Sequence, residues 1–402
     1  MNTYNYRGME IDSVELKCLL VSRGVKVSQA VYQHFSKTHR LGVNPLMCNC
    51  MTLPDGTMVQ LTDMGFHLKY LTGILSWDNL KLLKYASVLK TPFSIRMDGE
   101  EAAVFDEDRF ICHVGFPPKS GFYMQKTASG LPFLGNAVLQ GVDWVAFQCL
   151  WPCEYGAAGK SCQFCFSGAE HETLVKKHKP LPCAVPPDDV ADIVEYAIEH
   201  AGCNSIQLTG GSTFNPNKEY RYISAYLDAI MRRVGRENIR GDILLYITPP
   251  QDKTVIDEYF AMGADRIACS LEVWDEKLAA EVTPGKVTIT TRQRHLEALE
   301  YIVEKHGPGK AFSNFVIGVE PFESLKEGAE YLAARGVIPT ASIWMPMGRP
   351  VAGSMTPPDA AYYRKVKELF AGLYQQYGLE PSECCGLNVC MERDIWNFSC
   401  TA

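Results

Sequence analysis

From residue 142 onward the chain alternates short apolar runs with longer amphipathic segments, and the alternation repeats six times. Val142–Phe147, Cys203–Leu208, Ile243–Ile247, Asp265–Val273, Ala311–Val319 and Ile338–Trp344 read as strands. The segments Asp188–His200, Tyr220–Val234, Thr254–Met262, Arg294–Glu304, Leu325–Arg335 and Ala360–Tyr377 read as helices. In the first helix Val190, Ile193, Val194, Ala197 and Ile198 share one face, the spacing of an amphipathic helix. Strand–helix units in series make right-handed crossovers, so repeating them gives a parallel sheet covered by helices. Periodicity leaves open whether six units curl partway into a barrel or lie flat. The unusual residues fall at the C-terminal ends of the strands, where a barrel collects its chemistry. The expected fold class is therefore α/β, a partial (β/α)6 barrel.

Residues 1–140 read differently. Ile11–Phe35 has mixed helical spacing, and Pro54-Asp55-Gly56 marks a turn that makes Thr52–Leu61 a hairpin. Ser94–Phe116 alternates like strands, through Ile95 and Met97, Ala103 to Phe105, and Phe110 to Cys112. The expected organisation is an α+β accessory domain at 1–140, the barrel at 141–358, and a helix with a cysteine-bearing tail at 359–402. A chain of 402 residues, 47% hydrophobic, can bury a core of that size.

The net charge of −7 offers no electrostatic footprint for nucleic acid. Met1 to Gly24 lacks a basic segment followed by an apolar one, and no run of about 18 apolar residues exists to span a membrane. The expectation is a cytoplasmic protein with neither nucleic acid nor membrane as partner. Fifteen cysteines without an export signal then point to metal or cluster ligation, not a disulfide framework. Cys18, Cys112, Cys203 and Cys269 lie in apolar runs and read as packed thiols.

The cysteines that matter follow the first strand, in Cys149-Leu-Trp-Pro-Cys153-Glu-Tyr-Gly-Ala-Ala-Gly-Lys-Ser-Cys162-Gln-Phe164-Cys165. Thiolates hold iron–sulfur clusters, and Gly156 and Gly159 let such a loop fold tightly. Four thiolates could equally hold a structural zinc, and Cys162 with Cys165 could be a redox pair. The loop alone leaves these open.

The loop resembles the cluster loop of radical S-adenosylmethionine (SAM) enzymes. Their usual spacing is Cys-x3-Cys-x2-Cys, with an aromatic residue before the last cysteine. Cys162-Gln163-Phe164-Cys165 matches the second half. Eight residues, not three, separate Cys153 from Cys162, which leaves Cys149 as a rival to Cys153. The resemblance implies a [4Fe–4S] cluster on Cys153, Cys162 and Cys165, with SAM on the fourth iron.

Further motifs occur in family order and resemble the biotin-synthase branch. Thr209-Gly210-Gly211-Ser212 matches a Gly-Gly-Glu turn that binds the SAM amino group, with Ser212 in place of Glu. Two glycines there also allow a ligand close to the backbone. Ser270 and Glu272 share a face of the fourth strand by alternation. A carboxylate in an apolar strand is costly to bury alone, so Glu272 should face a polar lumen and meet the SAM ammonium or ribose. Arg292 or Arg294 matches an arginine that meets the SAM carboxylate. Gly318, in Phe315–Glu320, matches a glycine motif near adenine, and Met345 lies in the sixth-strand motif Ile343–Pro350.

The implied activity is reductive cleavage of SAM and hydrogen abstraction from a small-molecule or cofactor-precursor substrate. Electrons would come from a donor such as flavodoxin or ferredoxin. Rearrangement, carbon–carbon bond formation, methylation and sulfur insertion all stay open. Cys384, Cys385, Cys390 and Cys400 could carry a second cluster or metal, as could Cys48 and Cys50. The rival class is a non-catalytic zinc or iron–sulfur protein, a scaffold or cluster carrier in cofactor assembly.

Overall fold

The computed structural model describes residues 1–41, 50–61, 91–141, 143–150, 153–165, 184–345, 356–382 and 389–400. Six parallel strands pair in chain order: β1 (Trp144–Leu150), β2 (Ser205–Gly210), β3 (Ile243–Tyr246), β4 (Arg266–Ala268), β5 (Ala311–Ile317) and β6 (Ile338–Ile343). The main helices are α1 (Pro187–His200), α2 (Pro216–Arg233), α3 (Thr254–Ala261), α4 (Arg292–His306), α5 (Phe322–Ala333) and α6 (Ala360–Tyr377). Each follows its strand, as the alternation predicts. The sheet curls into a half-barrel, with β1 and β6 at opposite ends of the six.

Local sequence explains the elements. All seven residues of β5 are buried, as expected for a parallel strand covered on both faces. Pro187 and Pro216 open α1 and α2, where a missing N–H costs nothing. Asp359 caps the start of α6 by accepting from the Tyr362 N–H, and Gly378 at φ 62° ends it.

Both edges of the half-barrel are covered by strands that periodicity does not reveal. Val138–Gln140 pairs antiparallel with β1. At the other edge the Ile343 N–H donates to the Val389 carbonyl at 2.7 Å, and the Met391 N–H donates to Ala341 at 3.1 Å. Residues 389–391 thus run antiparallel to β6 and pair its outer edge.

The N-terminal region holds a four-stranded sheet of Lys26–Val27, Phe93–Asp98, Glu101–Asp106 and Arg109–Val114, and a hairpin of Cys50–Thr52 with Met58–Gln60. Ile11–Phe35 is not one helix. It divides into the end of strand Met9–Asp12, helix Ser13–Arg23, strand Lys26–Val27 and helix Gln29–Phe35. Gly24 at φ 70° stops the first helix, and Asp12 and Ser28 cap the two starts.

Helix Ser13–Arg23 packs on α6 within the apolar core that also fills the barrel. Ion pairs pin the contact: Arg364 to Glu15 at 2.8 Å, and Lys367 to both Glu15 and Asp12. Lys17 on the same helix is fully buried and pairs with Asp394 at 2.6 Å.

Candidate active site at the strand ends

The C-terminal ends of the barrel strands surround an open cleft of about 330 Å³. Cys153, Cys162, Phe164 and Cys165 border it from the loop after β1. Thr209, Gly210, Gly211 and Ser212 border it from the end of β2, Ser270 and Glu272 from beyond β4, and Met345 from beyond β6. Residues distant in sequence and singled out there for different reasons therefore share one wall.

The eight-residue spacer has a structural task. Glu154–Ala157 forms one helical turn, and Gly159 at φ 68° turns the chain back. Tyr155 is buried from this turn, its ring near Phe214 and its hydroxyl toward Thr290 at 3.5 Å. The loop is tied further to the segment before α4. The Gln163 N–H donates to Val282 at 2.8 Å, the Gly285 N–H to Lys160 at 3.1 Å, and Lys160 Nζ to Thr288 at 2.9 Å. Phe164 packs against the small apolar cluster of Val273, Val282, Val316 and Trp344. The loop is thus held at Phe164, between the last two cysteines.

The two glycines at the end of β2 are also closely approached by the chain of β1 and the cysteine loop. A Cβ on Gly210 would lie 2.7 Å from the Leu150 backbone nitrogen, and one on Gly211 would lie 2.4 Å from Cys153 Cα. What comes close to this turn is the cysteine loop itself. The Glu154 N–H donates to the Ser212 carbonyl at 2.9 Å, fastening the two together.

Cys149 is buried and does not border the cleft; burial pushes its thiol well up, and its electrostatic neighbours include Glu219 and Tyr226 of α2. Burial likewise raises Cys162 strongly, with nearby Lys286 opposing. Among the described residues, no three His, Cys, Asp or Glu side chains converge closely enough to share a single metal ion. In an iron–sulfur cluster each thiolate takes its own iron, and three thiols bordering one cleft supply a ligand set of that kind.

Glu272 sits at φ 72°, a conformation uncommon for a non-glycine residue. The regular pairing of β4 ends at Ala268, earlier than alternation suggests, and Glu272 rejoins β5 by a bridge to Phe315. Glu272 is thereby turned into the cleft, with both oxygens occupied. Lys286 Nζ donates to Oε1 at 2.8 Å and Asn314 Nδ2 to Oε2 at 2.9 Å. Lys286 also donates to the Ser270 carbonyl at 2.6 Å. Asn314 Oδ1 accepts from Ser342 at 2.8 Å, and Ser342 Oγ lies 3.2 Å from Cys390 Sγ. A continuous polar chain therefore crosses the barrel from Lys286 to Cys390.

Sequence reading missed Lys286, Asn314, Ser342 and Glu219, all of which border the cleft. A signal existed for Asn314, a polar residue inside the apolar run of β5 and as costly to bury as Glu272.

Arg292, Arg294 and Gly318 do not border the cleft. The Arg292 guanidinium stacks 3.7 Å from the Trp274 ring centroid and donates to the Trp274 carbonyl at 2.7 Å. Arg294 donates to the Pro249 carbonyl. Gly318, at φ 95°, faces Pro358 and Trp344. Cys390 contacts Ser342, Cys400 contacts Ala371, and Cys50 is buried in the hairpin. Cys48, Cys384 and Cys385 lie outside the described residues.

Glu219, in the first turn of α2, is 5% exposed and accepts the Thr248 N–H at 3.0 and 3.2 Å. Burial is the leading effect on its carboxyl, raising it from 4.5 to about 8 against the pull of those bonds. Between these values the folded protein keeps a proton that the unfolded chain releases, so stability falls as pH rises. Glu219→Gln should remove that slope. In urea titrations the variant's advantage should grow from near zero at pH 4.5 to roughly 4–5 kcal/mol above pH 8. An advantage independent of pH would contradict the assignment.

A radical SAM methyltransferase structure from Sphaerobacter thermophilus aligns at a TM-score of 0.39 and 14% identity, over 76% of this chain and 81% of that one. The bacteriochlorophyllide c C-7(1)-hydroxylase of Chlorobaculum limnaeum is 24% identical over 298 residues, 71% of this chain and 73% of the hydroxylase. The radical SAM superfamily model matches residues 156–340, which run from within the cysteine loop into β6. Residues 156–340 are therefore a radical SAM domain.

Proposed function

We propose that this protein is a radical SAM enzyme with its cluster on Cys153, Cys162 and Cys165, acting on a small-molecule or cofactor-precursor substrate. The observation that carries the reading is that these three thiols share one cleft with residues from the ends of all six barrel strands. When bound, a [4Fe–4S] cluster and SAM supply one-electron reduction of the sulfonium, giving methionine and a 5′-deoxyadenosyl radical that abstracts hydrogen.

The chain's own residues hold and shape that site. Phe164 and Tyr155 fix the loop, and Thr209 to Ser212 form the wall beside Cys153. Lys286 places a cation near the thiols. At about 330 Å³ the cleft falls within the usual small-ligand range of roughly 300–1,000 Å³. Ile343, Trp344, Met345 and Val389 give one side an apolar surface for a carbon skeleton. The hydroxylase relative is named for a bacteriochlorophyllide, and a cofactor precursor with an unactivated C–H bond is the substrate class this supports. Among the described residues no helix is long and apolar enough to cross a membrane. A flavodoxin or ferredoxin is the electron donor this reading calls for.

Anaerobic reconstitution should load about four irons per chain. With dithionite and SAM the protein should then form 5′-deoxyadenosine, and Cys165→Ala should abolish both. About eight irons would add a second cluster, for which Cys384, Cys385, Cys390 and Cys400 are the candidates. Tight zinc binding without iron uptake or 5′-deoxyadenosine would instead establish the non-catalytic alternative.

A further inference from the structure

Among the described residues one cationic side chain borders the cleft, Lys286. It opens a π-helical turn, Lys286–Thr290, which Thr291 ends at φ 65°. Such turns are rare and are found mostly where a protein does something besides pack.

This turn and the residues just before it are pressed against the cysteine loop. The Gln163 N–H donates to Val282, the Gly285 N–H to Lys160, and Lys160 Nζ to Thr288, while the Tyr155 hydroxyl approaches Thr290. Gly285 has no room for a side chain, because a Cβ there would lie 2.7 Å from the Lys160 carbonyl oxygen. Lys286 thus directly follows a residue in contact with the loop that carries the three thiols.

Its ammonium is fixed as well. Nζ donates to the Ser270 carbonyl at 2.6 Å and to Glu272 Oε1 at 2.8 Å, and Asn314 holds the other carboxylate oxygen at 2.9 Å. Both members of the pair are mostly buried. The pair is neutral as a whole but not symmetrical toward the thiols. Lys286 acts on Cys162 more strongly than Glu272 does, so its positive end is the one that the cysteine senses.

Reducing a [4Fe–4S] cluster by one electron breaks no bond. It adds one negative charge to a group that three thiolates already make anionic. Nearby charge and solvent exposure set the potential at which this happens. A cation held in a low-dielectric cleft favours the more negative, reduced state, and salt screens it little. Resting on the function proposed above, we infer that Lys286 is the charge that raises the reduction potential of the cluster, while Glu272 holds Nζ in place and limits the rise. The electron comes from the donor protein, and Lys286 exchanges none.

The test is a reductive titration of anaerobically reconstituted protein without SAM. Titanium(III) citrate is the reductant, redox mediators are present, and the electron paramagnetic resonance signal of the reduced cluster is the readout. Lys286→Met removes the charge and keeps an apolar stem. It should lower the equilibrium constant for reduction about tenfold, the order expected of one charge at an effective dielectric constant of about 20. For one electron, tenfold is about 59 mV toward more negative potential. Lys286→Arg, which keeps the charge, should restore most of the loss. Glu272→Gln should shift the potential the opposite way, upward, because the ammonium is then uncompensated. A Lys286→Met equilibrium constant within about threefold of native would overturn the inference. So would shifts of the same sign in Lys286→Met and Glu272→Gln, the pattern expected if the pair only braces the loop.

Iron content and the visible cluster spectrum are recorded first. A native protein that takes up no cluster would overturn the function itself, and is recognised before any potential is measured. If Lys286→Met takes up no cluster, Glu272→Gln decides: an upward shift supports the inference, and an unchanged or lower potential overturns it.

Discussion

Gly211→Ala should leave the barrel folded and largely remove its capacity to hold a cluster. The added Cβ would lie 2.4 Å from Cys153 Cα, 2.5 Å from its Cβ and 2.7 Å from its nitrogen. Two of those three are backbone atoms, which cannot rotate away as the end of a side chain could. The Glu154 N–H bond to Ser212 fastens the same stretch, so the loop cannot back off without losing that bond as well. Cys153 must therefore move. A ligand misplaced by about 1 Å can cost on the order of a hundredfold in rate, so a fall of that order in SAM cleavage is expected, with much less visible cluster absorption. Far-UV circular dichroism should stay native. Gly159→Ala is the matched control. That glycine has φ 68° but open space where a Cβ would go, so only the backbone cost of about 1–2 kcal/mol applies. Reconstitution of Gly211→Ala to the native iron content would show that the turn and the loop are not coupled in this way.

A comparably large effect is expected far from the cleft, at Lys17 and Asp394. The pair is 2.6 Å apart, with the lysine fully buried and the aspartate side chain 9% exposed. Asp394→Ala leaves the buried ammonium without its carboxylate. Breaking such a pair by removing one partner costs about 3–5 kcal/mol. Replacing both, as in Lys17→Met with Asp394→Leu, should recover most of that, because desolvation of two charges no longer has to be met. Urea midpoints for the native, single and double variants close the cycle. Equal losses in the single and double variants would mean that the ion pair is not what holds this junction.

The barrel was legible because its strands are buried on both faces and its helices on one. Ala311–Val319 reads as an apolar run broken by Ser313, Asn314 and Gly318, and its first seven residues, Ala311–Ile317, form β5. The edge strands were not legible. Val138–Gln140 has three residues, too few for a period, and 389–391 takes its conformation from β6, almost fifty residues earlier, as the Ser342–Cys390 bridge shows. At the cleft, close cysteine spacing and residues anomalous for their strand were visible. Long-range supports were not: Tyr155 reaches Thr290 across 135 positions. Lys286 stands in a π-helical turn after the short helix Glu276–Val282, a geometry with no apolar period to announce it. Glu219 looks in sequence like an ordinary acidic residue in a first helical turn. Only the packing of Thr248 and Tyr259 over it shows that water is excluded.

The polar chain from Lys286 through Glu272, Asn314 and Ser342 to Cys390 gives the segment after α6 an influence that its position would not suggest. Asn314 can satisfy Ser342 and Glu272 together only with its amide oriented one way. A substitution at Cys390 would change the partner available to Ser342 and reach the carboxylate beside the thiols through three successive contacts. The segment thus bears on the cleft twice, on its wall through Val389 and on its polarity through Cys390.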